Sequence, residues 1–527
     1  MDDIPDELLL HIVGQLRGPT SWTEPADDGR MPALAALCRV SKKLNSIARP
    51  LLYESIDRPP ADIKLKWSWK FLKHVLSQPD IRLHVKALRQ KQPAMKSLVH
   101  WPKFEGNEEK RFLELWILTG LDAKSSRLCQ QRFANREDVF FALAAFWLPN
   151  LERIWIRLPS CNVICRTCLL LEGIGRTIMG RHSPARHNFQ NLKTLYIDFH
   201  STPVMSTASV LPLLLLPSLD DLTLGSWGCR PNTPGAMPPF LTDENDSIVY
   251  NVPWRWPIPS SPISKLSLIR PYVSENMVKK VIRACKALQQ FECTLPTPHR
   301  PGDRWFGSIV SALNDHSESL EDLSVACRVV YGASPAKYRL AQLEPLSNLT
   351  NLKSIRVPLY LVSDPDRSER SVLQFFPQSI EHVHIEWLRA LNVRADKQLP
   401  GILAMRKAGY FTSLRHVYVT WVHFREHGDE EYDLLENFRL FLHIREQYES
   451  SSIKFDILFV LEDDKKSNIK WPKIAEMKEL IMDGTYLQTR KGHSDPSVFV
   501  RFTTCPGRYT AEEQEDDRDR GYVWVPR

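Results

Sequence analysis

The stretch Leu151-Glu152-Arg153-Ile154-Trp155-Ile156 (LERIWI) states in full a pattern that returns down the chain. Apolar residues hold its first, fourth and sixth positions, and polar or bulky ones lie between. The spacing recurs at Leu192-Leu195-Ile197, Leu219-Leu222-Leu224, Ile263-Leu266-Leu268 and Leu288-Phe291-Cys293. It continues at Leu320-Leu323-Val325, Leu352-Ile355-Val357, Ile380-Val383-Ile385 and Leu414-Val417-Val419. Alternation at the end of each copy is the period of a strand with one buried face. Between copies lie helical stretches. Ser274 caps Met277-Val278-Val281-Ile282-Cys285, and Trp305-Ile309-Val310-Leu313, Val372-Leu373-Phe376 and Phe140-Phe141-Ala144-Phe146 are others. One strand and one helix cannot bury their apolar faces alone, whereas stacked copies bury each other's. The class is α/β: parallel strands with helices behind them, repeated from about residue 138 to 505.

This body resembles the leucine-rich repeats, over about 350 residues. The resemblance implies an irregular solenoid. Copies start roughly 25 to 45 residues apart, against about 20–29 in the family. The Asn or Cys expected after the last leucine is mostly replaced, as by His200, Trp227 and Arg328. Gly225 to Pro262, ending PWRWPIPSSP, and Pro358 to Glu369 read as loops inserted between copies. Tyr432 to Tyr448 reads as a helix, Ile453 to Val460 as a strand, and 506–527 as a charged mobile tail.

The first 57 residues differ. IPDELLLHIVGQL places Pro5 at a helix start, with Asp3 as a cap and Asp6 and Glu7 favouring the positive end of the helix dipole. Leu8, Leu9, Ile12, Val13 and Leu16 share one helix face. A second helix carries Leu34, Leu37 and Cys38; a third, capped by Ser41, carries Leu44, Ile47 and Ala48. This order resembles the F-box. Its motifs stand here as Ile4-Pro5, Glu7-Leu8-Leu9-His11-Ile12, Leu34-Leu37-Val40-Ser41-Lys42 and Leu52-Tyr53, with a longer first loop from Arg17 to Ala33. The resemblance implies docking on the adaptor subunit of a cullin–RING ubiquitin ligase and, through it, on the cullin scaffold. It assigns that role to Ile4, Pro5, Leu8, Leu9, Ile12, Leu16, Leu34, Leu37 and Val40. The rest would then hold a substrate protein; the alternative is a non-ligase leucine-rich-repeat scaffold for protein–protein interaction. Between cap and repeats, residues 58–137 read as a helical junction: a helix from Ile63 to Gln78, a strand from Ile81 to Leu88, and a helix from Glu108 to Leu118. Deleting residues 1–57 is expected to leave the array intact.

Composition narrows the rest. Of 527 residues, 43% are hydrophobic and 25% charged, ordinary for a soluble protein. A net charge of +7 spread without a basic run does not point to nucleic acid. MDDIPDE is not a secretory start, and the burst at Leu211–Leu216 is too short to span a bilayer. The ten cysteines form no regular framework and read as reduced thiols, which fits the cytoplasm or nucleus.

No enzyme or cofactor motif stands out. Cys161, Cys165 and Cys168, with His182 and His187 downstream, lack the paired spacing of a zinc site and read as small core residues. Gly173-Ile174-Gly175 lacks a third glycine at phosphate-loop spacing. Asn314-Asp315-His316-Ser317 reads as a turn. What remains is the outward face of the strands, where side chains at equal register meet across neighbours. That places Arg153 and Trp155 beside Tyr196, and His382, His384 and Glu386 beside His416 and Tyr418, with Trp421 at the strand end. Arg, Trp, Tyr and His on one surface are the residues that protein-recognition hot spots favour. No cofactor or metal is expected.

Overall fold

The computed structural model describes residues 4–16, 30–58, 66–90, 143–158, 189–199, 210–227, 248–249, 252–253, 259–271, 273–295, 305–327, 345–362, 375–388, 395–424, 440–441, 443–448, 451–462, 485–489 and 497–503, with isolated positions 174, 178 and 256. The Arg17–Ala33 loop is described only from residue 30. Asp3, the 108–118 helix, the Cys161–Cys168 run with His182 and His187, Gly173, Gly175 and the tail 506–527 lie outside the described residues. The chain forms two compact units, Met1–Ala287 and Leu288–Arg527.

The first unit begins with α1 (Asp6–Gly14), α2 (Arg30–Val40) and α3 (Lys42–Glu54). Pro5 starts α1 without a side-chain cap, and Ser41 Oγ accepts the Leu44 N–H at 3.1 Å to open α3. With Leu34, the three helices close a core of Leu9, Val13, Leu44, Ile47 and Ala48. No residue separates Glu54 from β1 (Ser55–Arg58), so α3 runs directly into the parallel sheet. After α4 (Lys66–Ser77) and α5 (Pro79–His84) come β2 (Ala87–Gln90), β3 (Arg153–Leu158), β4 (Thr194–Phe199) and β5 (Asp221–Gly225). A short antiparallel pair, β6 (Ile248–Val249) and β7 (Val252–Pro253), stands apart. The sheet resumes with β8 (Lys265–Ile269), followed by a helix over Glu275–Ala284 capped by Ser274. β1, β2, β3, β4, β5 and β8 pair in that order, all parallel.

The second unit repeats the plan. β9 (Gln290–Leu295), β10 (Asp322–Cys327), β11 (Ser354–Pro358), β12 (His382–Leu388), β13 (His416–Phe424) and β14 (Lys454–Glu462) pair in order and in parallel. β16 (Ser497–Thr503) then adds antiparallel to β14, and β15 (Thr485–Thr489) to β16. Residues 440–448 are helical where described, and Phe375–Ile380 are a bend and turns. In both units the motif's leucines go inward: Leu151, Ile154, Leu195, Leu222, Leu266, Leu320, Leu352 and Val417 are buried.

Register is set at one backbone atom per copy. The carbonyl of the residue before the strand accepts two successive N–H groups from the next copy. Lys86 O takes Glu152 and Arg153, Glu152 O takes Lys193 and Thr194, and Lys193 O takes Asp220 and Asp221, at 2.7–3.0 Å. In the second unit Glu321 O takes Lys353 and Ser354, Lys353 O takes Glu381 and His382, and Glu381 O takes Arg415 and His416. The side chains at this position alternate in sign. Glu54–Lys86 (3.3 Å), Glu152–Lys193 (3.3 Å), Glu321–Lys353 (3.1 Å) and Glu381–Arg415 (3.5 Å) pair across neighbours. Exposed pairs of this kind contribute about 0.2–1 kcal/mol each, so they select register more than they stabilise. The missing consensus Asn has a substitute one residue before the first leucine. Asn150 and Asn191 donate to Leu83 O and Pro149 O, and Ser319 and Ser379 to Leu288 O and Leu352 O.

Four expectations change. Leu359–Val362, within the stretch read as an inserted loop, is helical, and Phe376, read as helical, lies in a bend. Ile81–Leu88 is not a strand throughout: Pro79 at the first turn and Asp80 behind it start α5, and extended backbone begins only after His84. The parallel strands also begin at Ser55, well before residue 138, because β1 and β2 are degenerate copies carrying Ile56 and Leu88 at the inward position.

The early start of the strands and the packing between them are testable. Deleting residues 1–57 removes most of β1 and the α3 surface that meets α4 through Tyr53–His74 and the start of α5 through Arg49–Gln78. A lower thermal midpoint is expected, and an unchanged one would show that the array closes without β1. Gly225→Ala would put a Cβ 2.6 Å from Asp198 Oδ1 and 3.0 Å from its Cα. Overpacking of that kind costs about 1–3 kcal/mol, readable by urea unfolding.

Candidate functional site

Two kinds of surface stand out. The first is on the N-terminal helices. Leu9 and Leu34 are buried inside the helical core, while Ile4, Leu16 and Leu37 pack partly buried against it. These five shape the surface rather than present it. Pro5, Leu8, Ile12 and Val40 face solvent, with Leu8 55%, Ile12 59% and Val40 62% exposed. Leu10, which sequence reasoning did not select, is 59% exposed. The run Leu8-Leu9-Leu10 held the signal, since a helix cannot bury three successive residues on one stripe. A unit with its own closed core and this much apolar surface has reason to bind something.

The second surface is the outward face of each sheet. In the first unit Trp155 and Tyr196 are register partners, and their rings stack at 5.0 Å. Arg89, the β2 partner of Trp155, lays its guanidinium 5.1 Å from the indole centre and meets Asp57 at 3.8 Å. Arg153 sits at the previous outward position of β3, half-buried. The row Asp57, Arg89, Trp155, Tyr196 crosses four strands as one continuous layer of charge and π-surface. Asp198, on the same side, is buried, meets Arg270 at 3.6 Å and closes over Gly225.

In the second unit His382 pairs in register with His416, His384 with Tyr418, and Glu386 with Thr420. The His384 ring meets Tyr418 edge-on at 4.4 Å, and its Nε2 lies 2.7 Å from Thr420 Oγ1. Glu386 accepts the Arg356 Nε–H at 2.7 Å. His416 Nε2 lies 3.0 Å from Oδ2 of Asp456, a carboxylate with no exposed surface that also meets Lys454 at 3.6 Å. Trp421 stands in register with Trp387 and Phe459, and its side chain lies outside the described residues. The histidines do not converge: each of His384 and His416 turns to its own oxygen partner. Among the described residues no group of three His, Cys, Asp or Glu could hold a metal ion, and no helix is long and apolar enough to cross a membrane. Sequence reasoning missed Asp456, since alternation alone makes it one more solvated strand residue.

His316, in the turn before β10, is buried and accepts the Leu288 N–H on Nδ1 at 3.4 Å. That is a structural use of the ring. Cys285 is buried, which pushes its thiol up to about 12 and leaves it unreactive.

No protein-family model matches the chain, and comparison with curated proteins finds no match.

Partial burial of the ring, reinforced by the neighbouring His416 and Arg415, holds the His382 imidazole below its ordinary 6.5, against the opposing pull of Glu381 and Asp322. The folded protein therefore prefers neutral His382. Its contribution to stability is present above 6.5 and is lost as pH falls from there toward the folded value. Proton NMR of the His382 ring should give a midpoint below 6.5, moved only part of the way back in His416→Gln because burial remains. A wild-type midpoint at or above 6.5 would contradict this environment.

Proposed function

We propose that this chain is the substrate-recognition subunit of an SCF-type E3 ubiquitin ligase. The N-terminal helices bind the ligase adaptor, which carries the cullin scaffold, and the strand faces hold a substrate protein. The observation that carries the reading is the exposed apolar set on a closed three-helix core: Leu8, Leu10, Ile12 and Val40. Burying such side chains fully against a partner contributes about 1.5–3 kcal/mol each. The Ile4-Pro5 to Tyr53 motif supplies the identity of that partner.

In this role the chain performs no chemistry. Ubiquitin transfer to a substrate lysine belongs to enzymes brought in by the cullin, and this subunit raises the substrate's effective concentration beside them. The direct passage from α3 into β1 supports the reading, because the adaptor-binding helices then have no slack against the strands of the first unit. For substrate, the faces offer the Arg89–Trp155–Tyr196 layer and the His382–His416, His384–Tyr418 and Glu386 rows.

The test uses Leu8→Asp with Ile12→Asp, since both positions are exposed and leave the core intact. Co-purification of adaptor and cullin from cells should fall by about a hundredfold or more, as for loss of two hot-spot residues. A circular dichroism melt matching wild type would show that the helices still fold. If adaptor and cullin co-purify at wild-type levels, the ligase reading fails. If the wild-type chain brings down neither, it is a scaffold without a ligase role.

A further inference from the structure

Asp456 sits on β14 between the inward-facing Phe455 and Ile457, so its side chain belongs to the outward face. It is nonetheless fully buried. Placing a carboxylate there without compensation costs several kcal/mol, and His416 and Lys454 of the same face stand against it. An ionised carboxylate has only lone pairs to offer. The 3.0 Å contact to His416 Nε2 therefore requires the proton on Nε2. The other ring nitrogen, Nδ1, has no hydrogen-bond partner among the described residues. The side chain keeps a quarter of its surface, 25%, open.

Resting on the reading of this face as protein-binding, we infer that Asp456 is a positioning residue: it fixes the His416 tautomer and ring, so that bare Nδ1 is presented to the bound protein as a hydrogen-bond acceptor. The group it accepts from is an N–H or O–H of the captured chain. A neutral donor fits better than an ammonium or guanidinium, because Lys454, Arg415 and His382 already crowd this end of the face. A hydroxyl can donate or accept, so the 2.7 Å contact of Thr420 orients the His384 ring without selecting its tautomer. Orientation before binding matters energetically, since each side chain immobilised only on association costs about 0.5–1.5 kcal/mol.

The experiment is long-range proton–nitrogen correlation NMR on the full chain with labelled histidine, at pH 8 where an unperturbed imidazole is neutral by about 1.5 units. His416 is assigned by comparison with His416→Gln. The expected pattern is a single tautomer, protonated at Nε2 and bare at Nδ1. Asp456→Asn, which keeps an acceptor oxygen of the same shape, should retain it. Asp456→Leu should shift both nitrogens toward the averaged values of a free imidazole. A wild-type ring protonated at Nδ1, or a pattern unchanged in Asp456→Leu, overturns the inference. If Asp456→Leu does not fold, the wild-type tautomer decides by itself. The readout needs neither adaptor nor substrate, so its failure is separable from failure of the ligase reading.

Discussion

A single carbonyl oxygen ahead of most strands, accepting two consecutive N–H groups from the following copy, is the constraint on which the rest depends. Parallel strands have no hairpin to fix their offset, and a slip of one residue would exchange the inward and outward faces. The doubled acceptor prevents the slip at the point where the chain arrives from its loop. The buried first leucine anchors the same position from inside. Because register is renewed at these junctions, the segments between copies can vary widely in length. The sheet of the first unit tolerates the 27 residues from Leu192 to Leu219 and the 44 from Leu219 to Ile263 equally well.

Much of this was legible. The first, fourth and sixth positions named the buried residues of nearly every strand, and register followed, down to Trp155 beside Tyr196 and His384 beside Tyr418. Three things were not. β1 and β2 are four residues long and carry one inward residue of the pattern each, so no repeat stands out in SIDR or ALRQ. The Ile81–Leu88 reading weighed alternation and missed the helix start encoded by Pro79-Asp80. On α1, Leu8, Leu9 and Ile12 looked equivalent, but only Leu9 enters the core. Which of several neighbouring leucines enters a core depends on how helices cross, and spacing alone does not contain it.

The outward faces show the same gap between pattern and environment. Alternation assigns Asp198 and Asp456 to solvent, yet both are buried. Each is held by a cation within its own unit, Arg270 for the first and Lys454 for the second. A buried charge with its partners is seldom the most stable choice available, since an apolar pair of similar volume often does as well. Such groups order the side chains around them. Asp198 closes over Gly225, where no other residue fits without a shift, and Asp456 takes His416. The side chains around these two carboxylates are therefore held in place within the folded chain.

Amide hydrogen exchange across the copy junctions tests the register constraint most directly. The amides of Glu152 and Arg153, both bound to Lys86 O, should exchange as slowly as those of Ile154 and Ile156 within the strand. The pair Glu381 and His382, bound to Lys353 O, should do the same in the second unit. If one amide of each pair instead exchanges at the rate of an exposed loop, the shared carbonyl does not set the register.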